Sequence, residues 1–502
     1  MSPSPSSSPF RKRIFVGTFI HTPILSPPTI SVLENAVVGV DERGVIGFIE
    51  EQVQELYDWD NEDGDSVDGL TKGMRNVVVK NGWEVKDVEE AVVGGYDGSG
   101  WWFPGFVDTH THASQLPNTG LFGTTTLLDW LETYTFPLES RFSSLSHARR
   151  VYSRAVTSTI CHGTTTCAYY ATIHPESTNL LADICMEKGQ RAFVGKVCMD
   201  CKDTCPDYYR EESAEASLES TKAVVQHIRS KDPKGELVQP IVTPRFAPSC
   251  TKASLAALGQ LAEDESLPIQ THISENKGEI ALVKQMFPEC GSYAGVYDSF
   301  HLLTPRTVLA HAVHLHDAEV KLIQDRGSAV SHCPLSNTSL GSGICPVRKL
   351  LDHGVKVGLG TDVSGGGSCS LLTAAREASG VSRLLGNFEE LKGASARDME
   401  RMKLSVAECL YLATKGGAEC MGLEKKVGSF EVGMEWDAQL VRLESVPEDG
   451  DKDGEGEQAN EGIVQCWGNE SWEEKVAKWM YCGDDRNTRK VYVKGRLVHD
   501  RS

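Results

Sequence analysis

The chain has 502 residues, 40% of them hydrophobic and 24% charged, with a formal net charge of -20. That length accommodates a β/α barrel of about 250 residues or more with one attached domain, and the composition is that of a soluble globular protein with enough apolar side chains for a large core. The acidic balance excludes a broad nucleic-acid surface, which needs clustered Lys and Arg, no window approaches the roughly 18 to 20 uninterrupted apolar residues of a membrane helix, and small, neutral or weakly ionised ligands fit such a protein.

Ser2 to Pro9 are Ser/Pro-rich, lead into Arg11-Lys12-Arg13 and lack an apolar core segment, so residues 1–12 are expected to be a disordered tail rather than a targeting peptide. The 15 cysteines are scattered without framework spacing, which places the protein in a reducing cytoplasm. Residues 13–103 carry strand patterns at Arg13 to Phe19 and Val37 to Ile49, with a turn at Asp41-Glu42-Arg43-Gly44 and an acidic surface excursion over 58–69. Strand patterns return in 426–502, at Gly433 to Val441 and Arg489 to His499. Between them, 444–462 is crowded with Asp, Glu and Gly and is expected to be a disordered acidic loop. The two flanks are expected to form one small β-sandwich domain built from both termini.

Residues 104–425 repeat a strand-then-helix beat. Eight apolar runs are present: Phe103 to Thr109, Gly163 to Tyr170, Arg191 to Met199, Gln239 to Phe246, Ile269 to Ser274, Thr307 to His314, Ser328 to Pro334 and Val355 to Thr361. Amphipathic segments such as Ser146 to Cys161, Ser177 to Lys188, Ala214 to Ser230, Thr251 to Asp264 and Asp317 to Arg326 separate them. Eight units is the number that closes a (β/α)8 TIM-like barrel, whose active site forms at the C-terminal ends of the strands.

The polar residues at those ends carry the chemistry. In Phe106-Val107-Asp108-Thr109-His110-Thr111-His112, strand alternation points positions 110 and 112 the same way, so both can grip one metal ion. A lone His-x-His is weak, and an isolated histidine is commonly a packed core residue. Here His272 and Asp362 end later runs, and three imidazoles with one carboxylate suit zinc, or iron as second choice. Glu275, three residues past His272, can reach a metal-bound water and shuttle protons, although an acid at a helix start also complements the dipole. His311 is expected to give a hydrogen bond or proton rather than a further metal bond. Arg245 and Phe246 offer a guanidinium fork beside an aromatic ring, which suits a flat polar heterocycle, and Gln115 adds an amide that donates and accepts. Cys198 and Cys201 have Cys-x-x-Cys spacing without a second pair, and read as ordinary thiols. Gly365-Gly366-Gly367 lacks the following Lys-Ser/Thr of a phosphate loop and reads as a turn.

These motifs resemble a known family. Pro-Gly-Phe-Val-Asp-Thr-His-Thr-His-Ala-Ser-Gln (104–115), Thr-His-Ile-Ser-Glu (271–275), Ser-His-Cys-Pro-Leu-Ser-Asn (331–337) and Gly-Leu-Gly-Thr-Asp-Val-Ser-Gly-Gly (358–366) resemble the amidohydrolase superfamily. Tyr134-Thr135-Phe136-Pro137 with Glu139, Val197-Cys198-Met199-Asp200, Arg245-Phe246, Phe430-Glu431-Val432-Gly433 and Gly483-Asp484-Asp485-Arg486-Asn487 narrow the resemblance to guanine deaminases of the barrel type. It covers nearly the whole chain beyond the first dozen residues, and the stretches around 58–100 and 444–462 are long for the family. The resemblance implies hydrolysis of guanine to xanthine and ammonia in purine catabolism, by a cytoplasmic homodimer. It assigns one zinc per chain to His110, His112, His272 and Asp362, the purine to Gln115, Arg245 and Phe246, proton transfer to Glu275, with Asp362 assisting the departing amine, and orientation of the nucleophile to His311. Contacts of the purine with His272, Glu275 and Asp362 come with it. Dinuclear members carry a lysine on strand four, where this chain has Arg245-Phe246, so a single metal is implied. The alternatives are another mononuclear deaminase or triazine hydrolase of the superfamily, or a non-catalytic scaffold, against which the complete ligand set argues. A nucleic-acid base deaminase would need the His-x-Glu and Pro-Cys-x-x-Cys arrangement that is absent here.

Overall fold

The computed structural model describes residues 11–57, 69–95, 98–124, 126–391, 393, 395–446 and 464–501. The tail before residue 11, the acidic excursion from 58 to 68 and the acidic loop from 447 onward lie outside the described residues. Two compact units emerge, Phe106–Glu424 and Met1–Gly105 with Lys425–Ser502. The boundary is visible in two successive amides: Gly105 N–H donates to Asp437 O, and Phe106 N–H donates to Gly163 O.

The first unit is built on eight strands: β1 (Phe106–His112), β2 (Thr164–Tyr170), β3 (Arg191–Gly195, resuming at Val197–Cys198), β4 (Val238–Pro240, resuming at Thr243–Pro244), β5 (Ile269–Ile273), β6 (Thr307–His311), β7 (Ala329–His332) and β8 (Lys356–Leu359). Each of the eight apolar runs overlaps one of them, with the first strand reaching three residues past its run, to His112. Neighbours pair in parallel from β1 to β4 and from β5 to β8. A parallel bridge between Val242 and Ile269 joins the two halves. The ring closes where the chain beyond β8 meets β1: Asp362 N–H donates to His110 O at 2.9 Å and His112 N–H to Val363 O at 3.1 Å. This is the (β/α)8 barrel that the strand count predicts. Parallel strands are covered on both faces, so β1 and β2 are buried along their whole length. Gly360 permits the closure, since a Cβ there would lie 2.8 Å from His110 Cβ and 2.6 Å from Ser331 Oγ.

The helices between the strands begin where side chains satisfy their first amides. Ser144, Ser213 and Thr251 each accept a backbone N–H three residues on, starting Leu145–Cys161, Ala214–Lys231 and Lys252–Asp264, and each cap stabilises its helix by about 1 kcal/mol. One segment departs from the expected beat. After β1 the chain runs through Leu127–Trp130, a π-helical turn at Leu131–Thr135, and Phe136–Glu139. A wide turn of this kind shifts which side chains face inward, and it matters below.

In the terminal unit, strands from both chain ends share one sheet in the order Arg496–Asp500, Thr488–Val493, Ala438–Arg442, Gly100–Pro104, Lys12–His21, Ser31–Val40, Ile46–Glu50. Val88–Gly94 also pairs with Lys12–His21, along Lys12 to Gly17, whereas Phe19 pairs with Trp102. Because two strands share one edge, the sheet parts there and both halves contribute to one aromatic core of Phe15, Phe19, Trp102, Trp436 and Tyr492. The alternate residues Ile14 and Val16 face the other way, against Met74, Val77 and Val78 of the helix Lys72–Lys80. That helix and Trp472–Cys482 are elements the sequence reading did not single out. Among the described residues no helix is long and apolar enough to cross a membrane.

Candidate active site

The barrel register brings His110 and His112 (β1), His272 (β5), His311 (β6) and Asp362 (just past β8) to one mouth. Several of these leave their strands in left-handed backbone, with φ of 75° at His311, 50° at Ala312 and 47° at Asp362. Side chains rarely adopt that region, and it is held where surrounding structure over-determines it. His110 Nε2 lies 3.1 Å from Asp362 Oδ1, and His112 Nε2 lies 3.4 Å from the same oxygen. His112 Nε2 also faces His272 Nε2 at 3.2 Å.

Hydrogen bonds on the far sides of the rings decide which nitrogens are free. His272 Nδ1–H donates to Arg245 O at 2.5 Å; a carbonyl only accepts, so Nε2 is the bare nitrogen turned inward. His311 Nδ1 meets Asn337 Oδ1 at 3.0 Å and turns its Nε2 inward in the same way. His110 Nε2 is buried without a hydrogen-bond partner. Tyr170 packs on the rings of His110, His112 and His272 with centroids 4.7, 4.6 and 5.0 Å away, which restricts their planes.

Lone pairs from several imidazoles and one carboxylate converging on a point fit a divalent metal of borderline softness. Ligand atoms of His110, His272, His311 and Asp362 lie within 4.8 Å of one another. His112 sits beside this group through its contacts with Asp362 and His272, so five donors surround the position rather than the four that the sequence suggests.

Burial pushes the His112 and His272 imidazoles well below the usual histidine range, and His110 below it as well. Neutral rings are what a metal requires. Burial also acts on Asp362, but His110, His311 and His112 around it hold its carboxyl far below the ordinary carboxylate range. Glu275 behaves oppositely: burial pushes it up to about 7, with His311 opposing and Glu279 and Asp362 adding to the rise. Burial would lower His311, yet the Glu275 and Asp362 carboxylates beside it raise it. Glu275 Oε1 accepts from Ser342 Oγ at 2.8 Å, and Oε2 lies 3.4 Å from His311 Nε2. Its backbone N–H donates to Glu279 Oε2 at 2.9 Å, while Tyr293 OH donates to Glu279 Oε1 at 2.7 Å.

Opening beside these groups is a cleft of about 400 Å3, counting its mouth, lined by Gln115, Arg245 and Phe246 and by Leu127, Trp130 and Leu131 from the π-turn segment. Of the nine residues expected to act, eight line this cleft, and the ninth, His110, stands behind it against Asp362. Arg245 and Gln115 are tied to a residue that received no role above. Glu139, buried completely, accepts from Arg245 Nη1 at 2.6 Å, Tyr209 OH at 2.8 Å and Gln115 Nε2 at 2.9 Å. An acid within the apolar stretch Phe136-Pro137-Leu138-Glu139 is the signal that points to it, because a buried carboxylate needs partners. Asn337 and Ser342 were also missed, since their roles depend on contacts between separate strand ends. Cys198 and Cys201 are buried free thiols, with Cys198 raised by burial, in keeping with ordinary cysteines.

Residues 101–498 match the model of the amidohydrolase family. A probable guanine deaminase of Schizosaccharomyces pombe is 44% identical, over 97% of this chain and 83% of its own. Guanine deaminase of Homo sapiens is 40% identical, over 97% and 96%. Among solved structures, guanine deaminase from C. acetobutylicum with guanine bound in its active site superposes with a TM-score of 0.78 at 32% identity, covering 97% of this chain and all of that one.

Proposed function

The chain belongs to the amidohydrolase family, and from that premise we propose that it catalyses the hydrolytic deamination of guanine to xanthine and ammonia. The observation that carries the reading is a single cleft lined both by Gln115, Arg245 and Phe246 and by His112, His272, Glu275 and Asp362, in a chain that has guanine deaminases as relatives over nearly its full length.

We assign one zinc ion per chain to His110, His112, His272 and Asp362, with His311 alongside. Bound there, the metal supplies the Lewis acidity that makes water a competent nucleophile near neutral pH. The remaining work falls to side chains. Arg245 donates to O6 of guanine, where adenine would present an amino group, Gln115 bonds the ring edge, and Phe246 packs on its face. With a pKa of about 7, Glu275 can take a proton from the attacking water and pass it to the ring nitrogen beside C2. The new C–O bond then forms without stranded negative charge on the ring. His311, held by Asn337, orients the water. When the C2–N bond breaks, the amine must leave protonated. Asp362 stands beside it, but its carboxyl is held far below the carboxylate range, so Glu275 is the better carrier for this second transfer too: it takes the proton of the new C2 hydroxyl as that oxygen becomes the carbonyl of xanthine, and gives it to the departing amine.

A cytoplasmic homodimer in purine catabolism belongs to the same reading. The compartment is supported by 15 cysteines, none of them in a disulfide. Purified protein mixed with guanine, followed by xanthine formation with and without a chelator, tests the whole assignment. Xanthine should accumulate and the chelator should abolish it. No product would overturn the substrate, and chelator-resistant turnover would overturn the metal.

A further inference from the structure

We infer that Glu139 is the positioning residue that determines which purines the cleft accepts, by locking Arg245 and Gln115 into one arrangement of hydrogen-bond donors. The inference rests on the assignment of guanine to this cleft.

A carboxylate only accepts hydrogen bonds, so every polar group that touches Glu139 must turn a donor toward it. Oε2 receives Arg245 Nη1 at 2.6 Å and Tyr209 OH at 2.8 Å. Oε1 receives Gln115 Nε2 at 2.9 Å, with Ser114 Oγ and Arg245 Nη2 each at 3.4 Å. The same short helix holds the guanidinium a second way, with Phe136 facing it at 5.1 Å from the ring centroid. Gln115 is fixed at both ends: its Nε2 is committed to Glu139, and its Oε1 accepts from Ser364 N at 3.3 Å.

Two consequences follow for a ligand. First, Arg245 is buried, and its charge is already matched by Glu139. The pair is neutral as a unit, so it offers N–H donors without offering a net positive charge, which suits a neutral oxo group better than an anion. Second, neither the guanidinium nor the committed amide can turn. The ring position facing Arg245 meets donors only, and an exocyclic oxygen satisfies them where an amino group leaves them unpaired. A site built to hydrogen-bond one group rejects its analogue through such unpaired partners. Without the carboxylate, the fork can swing and the amide can flip its carbonyl toward the ligand, and the discrimination goes.

Guanine and 2,6-diaminopurine separate these ideas, because both carry the 2-amino leaving group and differ at position 6. With zinc-loaded full-length protein, Glu139→Gln should raise KM for guanine by about 10-fold or more while kcat changes less, and should lower the guanine-to-diaminopurine ratio of kcat/KM by about 10-fold, the scale of a lost charged hydrogen bond. Glu139→Asp keeps the charge but withdraws it from some donors, and should give a smaller fall, about 3-fold. It serves in place of Glu139→Gln if that protein does not fold. A purely structural role would reduce both substrates together. A ratio within 2-fold of the parent in a folded, metal-loaded variant therefore overturns the inference. A parent protein inert toward guanine would instead remove the functional reading beneath it, and the two failures are distinct.

Discussion

The two walls of the cleft are built differently. On the metal side, His110, His112, His272, His311 and Asp362 stand on or next to strand ends, so the barrel's own hydrogen bonding places them, as when Asp362 N–H closes on His110 O. On the purine side, Gln115 and Arg245 are held by Glu139, which arrives from the irregular helical segment after β1. Their electrostatics differ too. The Glu139–Arg245 pair is buried and mutually satisfied. Glu275 is a buried acid raised to about 7, which its surroundings make costly to ionise. One wall is settled and the other is poised. Groups kept at intermediate protonation do acid–base chemistry, whereas a satisfied pair orients.

Substitutions on each wall should break this contrast in different currencies. Glu275→Gln has the largest expected effect: turnover should fall about 10²-fold or more, the scale of acid–base catalysis, while metal content stays near one per chain. Its stability should not fall. In the folded protein the Glu275 pKa lies near 7 against an ordinary 4.5, so folding favours the protonated acid. That advantage is present below the unfolded pKa and is lost as pH rises toward 7. Glutamine carries no such dependence, so the metal-free variant should melt at or above the parent at pH 8, measured by calorimetry. Near-normal turnover would remove Glu275 as the proton carrier.

Arg245→Ala should do the reverse. Removing one partner of a buried pair leaves Glu139 unmatched, which costs about 3–5 kcal/mol of stability. Guanine KM should rise about 10-fold or more, with a smaller change in kcat. An unchanged KM would separate Arg245 from the substrate. If both variants lost turnover and stability alike, the distinction between the walls would collapse.

The same contrast explains what the sequence made legible. A strand end is local information. An apolar run terminating in His-Thr-His or in Gly-Thr-Asp can be read without knowing its neighbours: eight apolar runs point to a barrel, and the three that carry or lead into His110 with His112, His272 and Asp362 point to a metal at its mouth. The wall held by Glu139 is not local. Gln115, Glu139, Tyr209 and Arg245 are separated by long stretches of chain, and nothing in Leu127 to Glu139 announces a π-helical turn. Glu139 lies within a family motif, but the motif alone does not show its purpose. His311 falls between the cases. Its position at a strand end was readable, but its inward Nε2 depends on Asn337 from beyond β7, and with that contact it joins the cluster of possible ligands. In the terminal unit, Arg13 to Phe19 reads as a strand, while its double pairing with Val88–Gly94 and Trp102 requires the sheet itself.

The finest test of the poised wall is Ser342→Ala, which leaves every acid in place. Ser342 Oγ donates to Glu275 Oε1 at 2.8 Å, and that bond favours the ionised carboxylate, partly offsetting the burial that raises it. Removing the hydroxyl takes away a stabiliser of the charged form, so the Glu275 pKa should rise further, by no more than about one unit if the bond is worth about 1 kcal/mol. A base that must be ionised to accept the water proton is then less available at neutral pH. kcat at pH 7 should fall about 2- to 5-fold and recover toward the parent value by pH 9, with the acidic limb of the rate profile displaced to higher pH. Because the serine touches Glu275 and has no hydrogen bond to Gln115 or Arg245, guanine KM should stay within about 2-fold of the parent. A loss that persisted equally at pH 9 would mean that Ser342 fixes the position of Glu275 rather than its charge.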